Sequence, residues 1–200
     1  MEIKLNVGCS DDMKPGYINI DQHSDSPRQT PFTHYAAAYL INEVVNGNTV
    51  YRDDYTYTHD LAQRYPLPDS FVDAIYAKDV FEHISSAKFP GNRGKIWAMN
   101  ESYRVLKPGG VLELFVPCVH MRDMTINLGA FADPTHASFW TYDDRYYFTE
   151  EWNNPQGERG RLGPAYGITC RFDIVKWELV EYGAPHERRS KIHAVLRAVK

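Results

Sequence analysis

Cysteine is scarce in this chain: Cys9, Cys118 and Cys170 are the three in 200 residues. They are too few and too scattered for a disulfide framework or a CxxC metal site, and they fit a reducing, cytoplasmic setting. Long apolar runs are missing as well; no stretch approaches the roughly 18 unbroken apolar residues of a membrane span. The opening MEIKLNVGCS has neither the basic start nor the apolar middle of a signal peptide, so a soluble intracellular protein is expected. Positive charge is not in excess: 22 Lys and Arg stand against 26 Asp and Glu, a net charge of -4, which argues against a broad nucleic-acid surface. Repeats, low-complexity tracts and sharp composition shifts are also lacking. What is present is an apolar fraction of 43%, enough to build one core over 1–200 as a single domain. Aromatics reach 14%, with 14 Tyr, and such residues can wall a pocket with apolar faces and polar tips.

Buried strands are predicted at Ile3–Val7, Tyr17–Ile20, Asp54–Thr58, Phe71–Ala77 and Val111–Val116, with two closing strands at Arg171–Tyr182 and Lys191–Val199. Helices are predicted near Tyr35–Val45 and over Arg93–Leu106, the second with Ile96, Met99, Tyr103 and Leu106 on one face. The remainder of 21–50 reads as irregular. Lys107, Pro108, Gly109 and Gly110 stop the second helix in a tight turn. Only about ten residues separate the first two strands, fewer than a full crossover needs, so the first crossover is abbreviated. Strands alternating with helices imply an α/β fold, a doubly wound, Rossmann-like and mostly parallel sheet of seven strands. The short turn between the closing strands makes them antiparallel and puts one reversed strand at the edge.

The first segment with chemistry is LNVGCSDDMKPGYINID, residues 5–21. A strand that runs into a glycine lets a ligand approach the backbone, and Asp21 at the next strand's end can accept from both hydroxyls of a ribose. A tight turn with a solvated Asp explains this segment equally well. The GxGxxG fingerprint is absent, since Cys9 and Ser10 follow Gly8. Without those glycines and a helix N-terminus there is no pyrophosphate cradle, so a dehydrogenase cofactor is disfavoured and a nucleoside lacking pyrophosphate fits better.

Four further pieces follow in order: HDL at 59–61, YPLPDSFVDAIYA at 65–77, VFEHI at 80–84 and YRVLKPGGVLELFVP at 103–117. Together with LNVGCS this ordered set resembles class I S-adenosylmethionine-dependent methyltransferases, of the small branch called type 11. The likeness spans about residues 3–117 and the closing strands. Ser10 and Asn6 depart from it, standing where such chains carry a second glycine and an acid. Phe81 replaces a common leucine. The resemblance implies S-adenosylmethionine as cofactor. Gly8, Cys9 and Ser10 would lie under its methionyl and ribose part, and Asp21 would bind the ribose. Asp60 would accept from the adenine amino group, with Leu61 packing on the ring, while Ala77, Lys78 and Asp79 would face the sulfonium end. Each has a plainer reading: Asp60 as a turn cap, Lys78 and Asp79 as a solvated pair. Glu82 and His83 read better as groups closing a turn than as catalysts.

Residues 118–166 show no period, and a long insertion of this kind inside a compact domain is usually functional. Within it, VHMRDMTINLGAFADPTHASFWTYDDRYYF, residues 119–148, follows the fifth strand at the edge where such sheets place ligands. Three readings stay open. His136 or His120 acts as a catalytic base on an acceptor; or His120, Asp123, Asp133 and His136 bind a metal; or Asp133 and His136 pin the loop. Pinning leads, and no metal is assigned. The implied activity is methyl transfer to a small molecule, a sugar or a peptide end, with neither nucleic acid nor membrane as partner. A non-catalytic binder of the same cofactor is the alternative, followed by a metal-dependent hydrolase built on 119–148.

Overall fold

The computed structural model describes residues 2–10, 12–22, 28–48, 55–85, 94–149, 166–184 and 187–200. Expected element ends at Asp54 and Arg93, and Pro185 in the last turn, lie outside them. The strands are β1 (Lys4–Val7), β2 (Ile18–Asp21), β3 (Gln29–Pro31), β4 (Thr56–Thr58), β5 (Val72–Lys78), β6 (Leu106–Pro117), β7 (Phe172–Tyr182) and β8 (Arg189–Ala198). They form one sheet in the order β3-β4-β2-β1-β5-β6-β8-β7. Pairs from β3 through β6 are parallel, and β8 runs antiparallel to both β6 and β7. The mostly parallel α/β sheet is therefore as expected, with two differences of detail. The eighth strand is β3, whose three residues are too short for any alternation to register in the sequence. Pro31 is tolerated there because β3 is an edge strand and needs no inward N–H. The reversed strand β8 sits one place in from the edge, because it pairs with β6 directly and leaves its hairpin partner β7 outside.

No helix joins β1 to β2 among the described residues; the chain crosses in an irregular loop. Asn6 and Asn19, both buried, staple this loop. Asn6 Nδ2 donates to the Asp12 carbonyl and to Asn19 Oδ1, each at 2.8 Å, and Lys14 N–H donates to Asn19 Oδ1 at 2.9 Å. These bonds satisfy backbone groups that a helix would otherwise pair internally.

Helix α1 (His34–Val45) starts at Thr33, whose side chain accepts from Ala36 N–H at 3.2 Å, and buries Ala37 and Leu40. Helix α2 (Lys95–Val105) buries Ala98, Met99, Glu101, Ser102 and Val105. The inward face is thus rotated from the expected one: Met99 is central, Ile96 and Tyr103 flank it, and Leu106 already belongs to β6. KPGG is a bulge inside that strand. Val72 pairs with Leu106 and Ala74 with Val111, so 107–110 loop out opposite Asp73. Lys107 Nζ donates to both Asp73 carboxylate oxygens at 2.9 and 2.8 Å, and Gly109 takes a φ of 77°.

One hydrophobic core joins Leu5, Val7, Ile75, Leu112, Leu114 and Ile192 from the sheet to Met99, Trp140 and Phe148. The aperiodic stretch after β6 is therefore anchored: Trp140 and Phe148 are fully buried with ring centroids 5.8 Å apart. It also carries two one-turn helices, α3 (Gly129–Ala132) and α4 (Arg145–Phe148). Among the described residues no helix is long and apolar enough to cross a membrane.

Candidate cofactor and acceptor site

At the carboxyl ends of β1, β2, β4 and β5 lies a cavity of about 430 Å³. Gly8, Ser10, Asp21, Asp60, Leu61 and Asp79 line it, six of the residues expected at the cofactor. Its volume falls in the range of roughly 300–1,000 Å³ usual for small-molecule sites.

Local bonds aim these groups. Asp21 ends β2, and its Oδ2 accepts from Ser10 N–H at 2.7 Å, tying the loop after β1 to the end of β2. His59 N–H donates to the Asp21 carbonyl at 2.8 Å, which brings the end of β4 alongside. Two residues past β4, Asp60 Oδ1 accepts from Ala62 N–H at 3.1 Å. Asp60 therefore caps a turn and lines the cavity at once. Helix α2 fixes the loop that follows. Trp97 Nε1 donates to the Leu61 carbonyl at 3.2 Å, and Arg104 reaches the carbonyls of Leu67 and Tyr65 at 2.8 and 3.0 Å. Buried Glu101 holds Arg104 by bonds of 2.9 and 2.6 Å and accepts from Tyr65 N–H at 2.7 Å. Burial and the nearby Asp60 and Glu101 act in opposite directions on His59, and burial prevails, holding its pKa below the ordinary value.

Three of the expected residues stay out of the cavity. Cys9 is buried, with Sγ 4.0 Å from Thr56 Oγ1. Ala77 is buried within β5. Lys78 turns toward Asp12, Nζ to Oδ2 3.7 Å. Alternation along β5 sends Lys78 away, and the positive φ of Asp79, 54°, turns the chain so that Asp79 alone reaches the cavity. Gln22, Val80 and His83 also line it; none of the three was expected there from the sequence, although Val80 and His83 lie within the VFEHI piece that carries the resemblance.

A second cavity of about 200 Å³ adjoins the first and shares Asp79 and His83 with it. Glu82, Asp133, His136 and Lys191 line its walls. Glu82 and His83 stand on the 3-10 turn Phe81–His83 that follows β5. The loop holding His136 is clasped onto that turn: Ala137 and Ser138 N–H donate to the Glu82 carbonyl at 2.7 and 3.0 Å. The two imidazoles meet edge-on with centroids 4.8 Å apart. Asp133 pins its own loop by accepting from Thr135 N–H at 2.8 Å and Thr135 Oγ1 at 2.6 Å, and Thr135 holds its carboxyl below the usual carboxylate range. Lys191 pairs with Asp79. The carboxylate of Glu82, on the turn it was expected to close, is buried, and burial pushes its pKa up to about 8.

His120 is not brought to either cavity; it lines a third depression with Met121, Trp177 and Leu179. Asp123 pairs with Thr125 and Arg188. The set His120, Asp123, Asp133 and His136 therefore does not gather.

Residues 40–114 match the model of a family described as a methyltransferase domain, type 11. Solved structures give likenesses that cover 100% of this chain. One is a Bacillus halodurans protein provisionally described as a methyltransferase, 14% identical over 93% of that chain with a TM-score of 0.55. Another is a Haloferax volcanii protein described in the same way and solved with the activator Trm112, 12% identical over 82% of that chain at 0.54. A third is the N-methyltransferase NodS of Bradyrhizobium japonicum in complex with S-adenosylhomocysteine, 11% identical over 79% of that chain at 0.50. A comparison with curated proteins returned no match. The fold is that of the S-adenosylmethionine-dependent methyltransferases. The expected resemblance to the type 11 branch holds, and the matched stretch contains HDL, LPDSF, VFEHI and RVLKPGG.

Proposed function

We propose that this chain is an enzyme that transfers a methyl group from S-adenosylmethionine to a nucleophile on a small molecule, a sugar or a peptide end. One observation carries the reading: Asp21 and Asp60, from the ends of the neighbouring strands β2 and β4, line one cavity together with Gly8 and Ser10. When bound, the cofactor supplies an activated methyl group on a sulfonium and departs as the thioether.

The protein's own part is recognition and placement. The Asp21 carboxylate, oriented by Ser10 N–H, accepts from the ribose hydroxyls. Asp60 accepts from the adenine amino group, and Leu61 covers the ring and offers its amide. The backbone of Gly8, Cys9 and Ser10 supports the methionyl part, and the chain at Ala77, Lys78 and Asp79 borders the sulfonium, with Asp79 the side chain turned inward. The acceptor enters through the second cavity and meets the first beside Asp79 and His83. Holding the nucleophile in line with the methyl carbon supplies on the order of 7–11 kcal/mol of the barrier. Three buried cysteines, none of them in a disulfide, fit the cytoplasmic setting we propose, and the acidic balance fits an acceptor that is not a nucleic acid.

Calorimetry with S-adenosylhomocysteine tests the site. Asp21→Ala and Asp60→Ala are each expected to weaken binding by roughly ten- to a hundredfold, the worth of a charged hydrogen bond. Unchanged affinity in both, with native circular dichroism, removes the assignment. Release of S-adenosylhomocysteine with a candidate acceptor separates an enzyme from a mere binder.

A further inference from the structure

Glu82, His83 and His136 are the group of metal-ligating side chains that converges among the described residues: one donor atom from each lies within 4.8 Å of the others. Their surroundings are those of ligands. Glu82 is 1% exposed, and neither carboxylate oxygen has a hydrogen-bond partner among the described residues. A carboxylate buried in this way is costly unless a cation or a donor meets it. Asp79 Oδ1, on the same cavity, is buried and unpartnered too. Of the cations nearby, Lys191 is committed to Asp79 and Arg189 lies at the exposed rim.

The imidazoles are held by their other nitrogen. His136 Nδ1 lies 2.8 Å from the Ala130 carbonyl, which only accepts, so the N–H is on Nδ1 and the lone pair on Nε2. Nε2 stands 3.9 Å from Asp133 Oδ2, beyond hydrogen-bond reach. His83 Nδ1 lies 2.9 Å from Thr135 Oγ1, whose own hydrogen goes to Asp133 Oδ1 at 2.6 Å. Thr135 therefore accepts from His83, and His83 likewise presents Nε2. A ring N–H given to a carbonyl, or passed through a hydroxyl to a carboxylate, is the support that orients metal-bound histidines.

We infer that Glu82, His83 and His136 form a binding site for a divalent transition-metal cation of the zinc or ferrous type. Two imidazoles and one carboxylate suit such ions. Ligands about 2.0–2.2 Å from one ion stand at most about 4.4 Å apart, so binding draws these donors together by a few tenths of an ångström. The remaining coordination positions open on the cavity shared with Asp79. That such an ion would meet a methyl acceptor rests on the methyl-transfer reading; the binding itself does not.

The test uses Co²⁺ as the probe on full-length protein freed of metal by chelation, without cofactor. One equivalent is expected to give visible ligand-field absorption that Zn²⁺ abolishes by displacement. Glu82→Gln, which keeps the side-chain shape, and His136→Ala should each weaken Co²⁺ binding at least tenfold, and His120→Ala should leave it unchanged. Absence of the spectrum at saturating Co²⁺ overturns the site, as does an unchanged spectrum and affinity in Glu82→Gln and His136→Ala. Calorimetry with S-adenosylhomocysteine on the same samples keeps the two readings apart: cofactor binding that survives a failed metal titration leaves the methyl-transfer reading standing.

Discussion

Gly8 meets two demands at once. Its φ is 67°, a region a side chain enters only with strain, and a Cβ there would come within 2.3 Å of Val80 Cγ2. The glycine that the sequence suggests for approach to a ligand is thus required first by packing of the loop after β1 against the loop after β5. Gly8→Ala should destabilise the protein by about 2–4 kcal/mol, combining strain and overpacking. Adding Val80→Ala should recover only a small part of that loss, because the two Cγ contacts go while the Val80 Cβ, 2.5 Å from the new Cβ, and the backbone strain stay. Urea denaturation of the single and double variants reads both terms; equal stability of Gly8→Ala and wild type would contradict this geometry. Asn6 shows the same kind of double meaning. It stands where chains of this resemblance carry an acid, and here its amide is spent on the crossover.

At the scale of elements, the irregular link between β1 and β2 does without a helix because two side-chain amides take over backbone pairing. Asn19, 1% exposed, is the centre of that arrangement, accepting from Asn6 Nδ2 and Lys14 N–H. Asn19→Ala takes the acceptor from Lys14 N–H and from one of the two Asn6 Nδ2 hydrogens, the other keeping the Asp12 carbonyl, and is expected to cost about 1–3 kcal/mol. Hydrogen exchange at Lys14 should accelerate in the same variant while β5 and β6 keep their protection. A uniform loss of protection would show that the amides do not act locally. Helix α2 was legible as a helix, yet its inward face was not. Periodicity counts apolar residues only, and Glu101 is buried because Arg104 and Tyr65 N–H satisfy it.

Across the whole molecule, ladder length sets a gradient of local stability. Strands β5, β6 and β8 run long beside one another, whereas β3 and β4 have three residues each at the opposite edge. Amides of β5, β6 and β8 should exchange slowest, and those of β3 and β4 much faster. S-adenosylhomocysteine at a hundred times its Kd is expected to add about 2.7 kcal/mol of stability. The gain in protection should concentrate at the ends of β2 and β4, where Asp21 and Asp60 sit. Hydrogen exchange by mass spectrometry measures both effects; protection gained only along β7 would place the ligand elsewhere.

Strand order in the chain, the helix stop at KPGG and the acids Asp21 and Asp60 at strand ends were readable from the residues, since each depends on neighbours a few positions away. Tertiary structure decided the rest. A three-residue edge strand exists because β4 offers it a partner, not because its own residues prefer a strand. Lys78 faces away and Asp79 faces inward because alternation along β5 and one left-handed residue choose their sides. Glu82 and His83 meet His136 only because the loop after β6 is clasped back onto the turn after β5, a non-local closure that spacing along the chain does not encode.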